Sequence, residues 1–287
     1  MPRRGFAHTL LIAVCMVLTV AACANPGPPV SPSDPTRNGD TPRSTSDTTV
    51  TTPEPSPSWR VGASPLPRRP DGLGEIQPTP PELTERRLPT NDVLAPPEDG
   101  RYAARIQRVP DQVLARSTWS TGCPVGRAQL RYLTMSFWGF DGRPHTGEML
   151  VHERVANQLT EVFQRLYAAR FPIEEMRVVR ASELDAPPTG DGNNTTAFVC
   201  RPTTGEQGWS AHAYGLAIDL NPFQNPYTSS DIVLPELASS YVDRTWRRPG
   251  MLRAGDAAVS AFQRIAWTWG AIWRDPRDIM HFSATGN

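Results

Sequence analysis

Apolar side chains recur at helical spacing in the second half of the chain. Between Glu153 and Arg170, and again from Ala257 to Trp269, large apolar residues return every three or four positions, which predicts two amphipathic helices. A shorter helix is predicted from Pro110 to Ser117. We therefore expect three helices, with the apolar faces of the two longer ones directed inward.

Alternating apolar and polar residues predict strands in the same region. Leu130–Trp138 alternates, a turn begins at Gly139, and Gly147–His152 can form a second strand. Further strands are predicted at Met176–Arg180 and Tyr214–Leu220. Because helices and strands follow one another in mixed order, the expected fold class is α+β, with a small antiparallel sheet and flanking helices.

The first 22 residues have the features of a bacterial export signal. Positive charge at Met1–Arg4 precedes an apolar run from Leu10 to Val20, which is too short to span a bilayer comfortably as a lone helix. The segment ends in Val20-Ala-Ala-Cys23, which resembles the lipobox of bacterial lipoproteins. Cys23 is therefore predicted to carry a lipid anchor, and an ordinary signal peptide cut near Ala22 is the alternative.

Residues 23–100 are dominated by Pro, Ser, Thr and Arg and contain few large apolar side chains. Such a segment cannot bury enough surface to offset the entropy of ordering, so a disordered tether is predicted. A leader without a spacing role is the alternative. Residues 101–287 are long enough for one domain with its own core, and they contain nearly all of the tryptophans.

The charge balance argues against some classes of function. Basic and acidic residues number 29 each, and the chain contains no Lys. Neither a basic surface for nucleic acid nor a lysine-dependent mechanism therefore finds support. We expect no nucleic-acid partner and a monomeric protein.

The predicted domain contains two cysteines, Cys123 and Cys200. In an exported protein a disulfide between them is the natural expectation, worth about 4 kcal/mol in the chain-entropy account. Two free thiols are the alternative. Zinc ligation by this pair is disfavoured because no Cys-x-x-Cys spacing accompanies them.

A short motif before residue 220 carries the most informative chemistry. In the predicted strand, Asp219 shares a face with Gly215 and Ala217, whose small size leaves space beside the carboxylate. His212 lies just outside the strand, where a turn would bring its ring back toward Asp219. With His281 near the C-terminus, the chain offers three protein ligands and an open fourth position, as a catalytic zinc site requires.

Another carboxylate precedes His281 by three positions. Asp275-Pro276-Arg277 favours a turn, so Asp278 is expected on the turn and His281 on the final strand. An ionised Asp278 can take a proton from water and return it to a leaving amine, as a general base does. Asp275 is a weaker candidate for that role. His145 and His152 have no metal-like spacing.

These motifs resemble the VanY-like zinc D-alanyl-D-alanine carboxypeptidases and L-alanyl-D-glutamate endopeptidases, within the LAS metallopeptidases. That group carries S-x-H-x-x-G-x-A-x-D, complete here from Ser210 to Asp219, and D/E-x-x-H, which runs from Asp278 to His281. The resemblance covers most of residues 101–287 and none of the tether. It implies an LAS metallopeptidase-like fold of the hedgehog and D-Ala-D-Ala peptidase type.

The resemblance also implies roles for single residues. His212, Asp219 and His281 would hold one Zn²⁺ per domain. Asp278 would act as the base. Arg201 would stabilise the developing oxyanion or a substrate carbonyl, and an ion pair with a surface carboxylate is its alternative role.

Two serines complete this comparison. Ser210 either hydrogen-bonds a ligand or the substrate, or caps the local turn. Many relatives carry an acidic residue after the final His-Phe, whereas this chain has Ser283. That departure affects the support of His281 by its neighbours.

The resemblance and the export signal together imply a substrate. A peptidase anchored by lipid to the outer face of the bacterial cytoplasmic membrane faces the cell wall, so the expected partners are peptidoglycan stem peptides. The loops 186–208 and 224–253 determine which bond is cut, and both carboxypeptidase and endopeptidase activity remain open. A non-catalytic, zinc-containing lipoprotein that binds the wall is the alternative, and the presence of Asp278 argues against it.

Overall fold

The structure, a computed structural model, describes residues 59–203 and 208–286. The predicted signal at residues 1–22, the predicted lipid site Cys23 and residues 24–58 of the predicted tether lie outside the described residues. Within the described ranges, no helix has the length and apolar character needed to cross a membrane.

The described part of the chain contains α-helices, strands and short 3₁₀ helices. The α-helices are α1 (Pro81–Thr84), α2 (Asp111–Arg116), α3 (Ala156–Ala168) and α4 (Ala257–Gln263). The strands are β1 (Ala104–Arg108), β2 (Leu130–Trp138), β3 (Pro144–His152), β4 (Ala217–Asp219), β5 (Tyr227–Ser229), β6 (Ile232–Leu234), β7 (Thr268–Trp269), β8 (Arg277–Asp278) and β9 (His281–Ser283). The 3₁₀ helices are Arg127–Gln129, Glu153–Val155, Ala181–Glu183, Ala211–Tyr214, Glu236–Val242 and Gly270–Ile272.

The longest strands form an antiparallel sheet in the order β1-β2-β3. β2 and β3 pair along their whole length, with Leu130 opposite His152. α3 packs against this sheet because its apolar residues, among them Leu159 and Phe163, share one face and enter the same core as Leu133. Burying this face stabilises the helix more than its intrinsic propensity does.

A second antiparallel sheet, in the order β4-β9-β7, lies beside α4. In its register Asp219 is opposite His281, and Ile218 is opposite Phe282. The Phe282 ring stacks on Phe262 of α4, with ring centres 4.0 Å apart. The side of the sheet that carries Phe282 therefore belongs to the main core.

The third antiparallel sheet has the order β6-β5-β8. Its register places Tyr227 opposite both Leu234 and Asp278. Only Ile279 and Met280 separate β8 from β9, so Asp278 in the third sheet lies next to the second sheet. The short sheets meet at this point.

The described elements are compatible with the predicted α+β class, although they form three small antiparallel sheets rather than one. β2 has the predicted bounds, and α2 lies within the predicted helix 110–117. β3 begins three residues earlier than predicted, at Pro144. The predicted helix 153–170 is a 3₁₀ turn followed by α3.

The predicted helix from 257 to 269 is too long. α4 ends at Gln263, and Ala266 adopts the left-handed conformation with φ of 59°. That conformation is incompatible with a continuing right-handed helix. Thr268 and Trp269 instead form β7, where they pair with β9.

Two predicted strands also need correction. The segment 214–220 is a strand only at Ala217–Asp219, because Tyr214 belongs to a 3₁₀ helix and Gly215 is left-handed, with φ of 67°. The segment 176–180 forms no named strand in the described chain. The Arg177 N–H donates to the Asn194 side chain at 2.9 Å instead of joining a regular ladder.

Residues 59–100, here called the N-terminal strap, pack against the rest of the domain, so the predicted boundary at residue 100 is wrong. Leu83 is fully buried in a cluster with Phe223 and Tyr241. Arg86 donates two hydrogen bonds to Glu174, at 2.7 and 2.6 Å, and its guanidinium lies over the Phe223 ring. Individual buried side chains such as Leu83 and ion pairs such as Arg86–Glu174 hold the strap in place, rather than an amphipathic repeat. Amino-acid composition does not reveal such isolated contacts.

Candidate metal centre

Two histidines and one aspartate meet where β4 and β9 adjoin the 3₁₀ helix Ala211–Tyr214. Asp219 Oδ1 lies 3.2 Å from His212 Nε2 and 3.1 Å from His281 Nδ1. The two ring nitrogens are 3.2 Å apart. Both rings are buried, and 19% of the Asp219 side chain is exposed. The structure therefore brings together the three residues that the sequence predicts as metal ligands.

The turn before β4 places the His212 ring, as the sequence predicts. Ser210 precedes the 3₁₀ helix, and its hydroxyl accepts the His212 N–H at 3.3 Å. Gly215 ends the helix in the left-handed conformation. A Cβ at Gly215 would lie 2.6 Å from the backbone nitrogen of His152. Only glycine satisfies both conditions, so this residue allows the chain to turn tightly between His212 and β4.

The environment of His212 selects its tautomer. Its Nδ1 lies 2.6 Å from the carbonyl oxygen of Ala197, which can only accept a hydrogen bond. Nδ1 therefore donates, and Nε2 keeps a lone pair directed at Asp219 and His281. His281 presents Nδ1 to the same point, while its Nε2 is buried without a partner among the described residues.

The donor set fits a divalent cation. When a metal holds four ligands tetrahedrally at about 2.0 to 2.1 Å, neighbouring ligand atoms are about 3.3 Å apart. The three donor atoms here are 3.1 to 3.2 Å apart. Two imidazole nitrogens and one carboxylate are also ligands that zinc favours, and three protein ligands leave a fourth position open.

Asp278 lies beside this cluster. Its Oδ2 is 4.0 Å from His281 Nδ1, and its Oδ1 is buried without a hydrogen-bond partner in the described residues. Burial, reinforced by the negative charge of Asp219, raises the pKa of the Asp278 carboxyl to about 7, while His281 and Arg201 act in the opposite direction. Asp278 belongs to β8 rather than to the predicted turn, whereas His281 begins the final strand as predicted.

The two carboxyl groups of the site differ in their acid-base character. Burial acts to raise the pKa of Asp219, but the charges and hydrogen bonds of His212 and His281 outweigh it, so this pKa lies well below its usual range. The pKa of Asp278 moves in the opposite direction. Such a divergence is characteristic of carboxylates that have different roles in one site.

Arg201 lines the same cavity and immediately follows a disulfide. Cys123 and Cys200 are bonded, which confirms the predicted pair. Arg201 Nη1 donates to the carbonyl oxygen of Pro202 at 3.3 Å, and no carboxylate of the described residues forms an ion pair with it. Its positive charge acts on Asp278. These contacts favour a position in the cleft over the alternative of an ion pair with a surface carboxylate.

No hydrogen bond joins Ser283 to the imidazole of His281. Its buried hydroxyl lies 2.7 Å from the Thr285 hydroxyl and accepts the Thr285 N–H at 3.0 Å. The serine therefore orders the end of β9.

The remaining candidates lie outside the cluster. His145 contacts Asp92 and Asp141 at 2.9 and 3.1 Å, and His152 caps the 3₁₀ helix Glu153–Val155. Asp275, the weaker candidate for a base, accepts the Ser229 hydroxyl at 2.8 Å on the surface.

The cluster opens into a cavity of about 680 Å³. Trp209 and Trp273 contribute aromatic surface, and the Trp273 ring lies 5.6 Å from the His281 ring. Leu73 of the strap and Glu236 also line the cavity. The sequence analysis identified none of these four residues. Trp209 is adjacent to the first motif and could have been noticed, but no local pattern indicates Leu73 or Glu236.

An open three-ligand site, a neighbouring carboxylate and a cavity of this size are characteristic of metal-dependent hydrolases. Residues 204–284 match a model of the M15 peptidases whose description is D-alanyl-D-alanine carboxypeptidase. The match supports a peptidase of this family. It includes the three clustered residues and Asp278, but covers less than half of the chain and excludes Arg201 and the strap. No curated protein and no solved structure matches the chain.

Proposed function

We propose that the protein is a zinc-dependent peptidase of LAS metallopeptidase-like fold that cleaves peptidoglycan stem peptides. The reaction is that of a D,D-carboxypeptidase or of an L-alanyl-D-glutamate-type endopeptidase. The observation that carries this proposal is the convergence of His212, Asp219 and His281 next to Asp278 in one open cavity. The family match of residues 204–284 supports the class of reaction.

His212 Nε2, Asp219 and His281 Nδ1 are the atoms that would hold the ion. When bound, zinc supplies a Lewis acid that polarises a carbonyl and makes water more acidic. The protein contributes the orientation of the ligands, because the Ala197 carbonyl fixes the His212 ring and the β4–β9 register fixes Asp219 against His281.

Asp278 acts as the proton carrier. Its Oδ1 has no hydrogen-bond partner among the described residues and can accept a proton from the attacking water. Positive charge bound at the neighbouring ligands would favour the ionised form of Asp278. The carboxyl then returns the proton to the nitrogen of the leaving amine.

Arg201 and the aromatic side chains position the substrate. The Arg201 guanidinium would bind a substrate carbonyl oxygen as negative charge develops on it, and its position in the cavity lining supports this role. Trp209 and Trp273 line the same cavity and can cover the peptide on the side facing solvent. Ser210 caps its turn and also lines the cavity, so its hydroxyl can contact the substrate.

The proposed location is the outer face of the bacterial cytoplasmic membrane, with the domain facing the cell wall. The support is the lipobox-like sequence Val20-Ala-Ala-Cys23, in which Cys23 would carry the lipid. The strap packs against the rest of the domain from Trp59 onward, where the indole N–H of Trp59 donates a hydrogen bond to the Asp191 carboxylate at 2.8 Å. A tether would then comprise at most residues 24–58.

The test is release of D-alanine and of stem fragments from purified peptidoglycan peptides. The zinc-loaded protein should cleave them, and chelation or Asp278→Ala should abolish cleavage. Asp275→Ala is the matched control, because it removes a nearby carboxylate that lies outside the cluster. The products identify the bond that is cut.

Zinc bound tightly without any cleavage would contradict the peptidase and favour a non-catalytic protein that binds the wall. Equal losses in Asp278→Ala and Asp275→Ala would contradict the role given to Asp278. Cleavage that persists after complete chelation would reject the metal centre.

A further inference from the structure

Glu236 is a buried carboxylate in the wall of the cavity, with only 6% of the residue exposed. It begins the 3₁₀ helix Glu236–Val242, two residues after β6. Its Oε1 accepts the Gly74 N–H of the strap at 2.7 Å. No cationic side chain of the described residues forms an ion pair with it, and no described group hydrogen-bonds Oε2.

The second oxygen, Oε2, keeps some accessible surface. It has no hydrogen-bond partner among the described residues, and Glu236 lines the cavity. Burying a carboxylate without a cation is costly unless another group compensates its charge. A carboxylate that is held by one oxygen and has its other oxygen unpaired therefore suits a positively charged ligand, which can donate a charge-assisted hydrogen bond to it.

The strap holds this carboxylate in place. A Cβ at Gly74 would lie 2.8 Å from Glu236 Oε1 and 2.9 Å from a methyl carbon of Leu66, so a larger residue here would displace the ends of these two side chains. Arg69 binds Asp231 at 2.7 Å and fastens the same turn of the strap next to β6. Leu73, beside Gly74, lines the cavity. The orientation of Glu236 is thus set before a ligand arrives.

The sheet register relates the end of β6, just before Glu236, to Asp278. Asp278, Tyr227 and Leu234 occupy one row across β8, β5 and β6. Adjacent strands are about 4.8 Å apart, so Leu234 is about 10 Å from Asp278 along the row, and Glu236 follows two residues later. Glu236 therefore lines the part of the cavity wall that follows β6, two strands away from Asp278.

We propose that Glu236 binds a positively charged amino group of the peptide substrate, at the end of a diamino-acid side chain set back from the cleaved bond. Ile232 and Leu234 line the cavity and offer apolar surface to the methylene groups of such a side chain. This inference rests on the proposed function, because it names a substrate group recognised in the same cleft. Glu236 is a specificity-determining residue and takes no part in the proton transfer.

The test compares two peptides that end in Lys-D-Ala-D-Ala and differ only in whether the lysine side-chain amine is free or acetylated. Dissociation constants are measured by calorimetry in the zinc-loaded Asp278→Ala background, where the proposed base is absent. We expect the free amine to bind about tenfold or more tightly than the acetylated amine. Glu236→Gln keeps an acceptor for the Gly74 N–H and should reduce this ratio to about one.

Two further variants complete the comparison. Glu75→Gln removes the same charge from an exposed acidic residue next to Gly74 and should leave the ratio unchanged. Gly74→Ala should displace Glu236 Oε1 and lower the ratio, with thermal unfolding used to confirm that the variant is folded. In the active protein, Glu236→Gln should raise KM for the free-amine peptide and leave kcat nearly unchanged.

The binding measurement does not depend on cleavage. An unchanged ratio in Glu236→Gln would overturn the inference and leave Glu236 as an anchor for the strap, whether or not the peptides are cleaved. A ratio lost in Glu236→Gln and retained in Glu75→Gln would support it. If the active protein then cleaved neither peptide, the proposed peptidase would fail while amine recognition by Glu236 would stand.

Discussion

Asp219 and His281 are directly opposed partners on β4 and β9, and Asp219 Oδ1 lies 3.1 Å from His281 Nδ1. Strand pairing therefore brings together two ligand candidates that are 62 residues apart in the chain. Side chains on directly opposite residues of an antiparallel pair share one face. The ligand geometry consequently depends on sheet register, and a slip by one residue would turn one of the two side chains to the opposite face.

His281→Ala is expected to weaken zinc binding by at least about 100-fold, because even residues that only support a ligand contribute 10- to 100-fold. Zinc affinity can be measured by competition with a chelator of known affinity. His152→Ala is the control, since His152 lies outside the cluster and caps the 3₁₀ helix Glu153–Val155. Equal zinc affinities in the two variants would contradict the ligand assignment.

Gly215→Ala is expected to destabilise the protein by about 2 to 5 kcal/mol. The left-handed φ of 67° contributes part of this loss, and contact between the new Cβ and the His152 backbone contributes the rest. Gly142→Ala is the matched control because Gly142 has φ of 74° but open space around its Cβ position. It should lose only about 1 to 2 kcal/mol in urea unfolding. Similar losses in both variants would contradict the steric argument.

Glu174→Gln is expected to lower the free energy of unfolding by about 3 to 5 kcal/mol, because it leaves the Arg86 guanidinium buried without its anion. The Arg86 and Glu174 side chains are 0% and 7% exposed. Asp99→Asn breaks an exposed ion pair with Arg101 and should change stability far less, because solvent screens exposed charges. Chemical denaturation of the metal-free proteins measures both. Similar effects of Glu174→Gln and Asp99→Asn would contradict the contribution assigned to the buried ion pair.

The stability of the protein should fall between neutral and mildly acidic pH in a way that depends on His152. Burial lowers the pKa of His152, assisted by the positive charges of Arg154 and Arg131 and opposed by Glu153. The unfolded chain therefore binds a proton more readily, so the contribution of His152 is present above its unfolded pKa of about 6.5 and is lost as the pH falls toward the lower folded value.

His152→Asn retains an acceptor for the cap without a titrating ring. Urea unfolding of both proteins from pH 5 to 8 should show the wild type losing more stability than His152→Asn on the acidic side. Parallel pH dependence in the two proteins would contradict the assignment.

Several parts of the molecule could be predicted from sequence because the relevant information is local. α3 and β2 follow from the spacing of apolar residues, and His212 and Asp219 are close enough in the chain for one glycine turn to bring them together. The disulfide followed from the export signal and the count of cysteines. The length of α4 was predicted less well. The left-handed conformation of Ala266 prevents the helix from continuing to residue 269, and apolar periodicity does not reveal that conformation.

The sequence by itself determined the main helices and the long strand pair, the identity of the three ligand candidates and the presence of Asp278, because these depend on residue type and short spacing. Only the tertiary structure decided that the strap belongs to the domain and that Gly74 holds Glu236 in the cavity wall. Gly74 and Glu236 are 162 residues apart, and their contact depends on the Cβ space at a single glycine. Such long-range packing leaves no periodic signal in the chain, because each contact is made once and is specified by the shape of its partner.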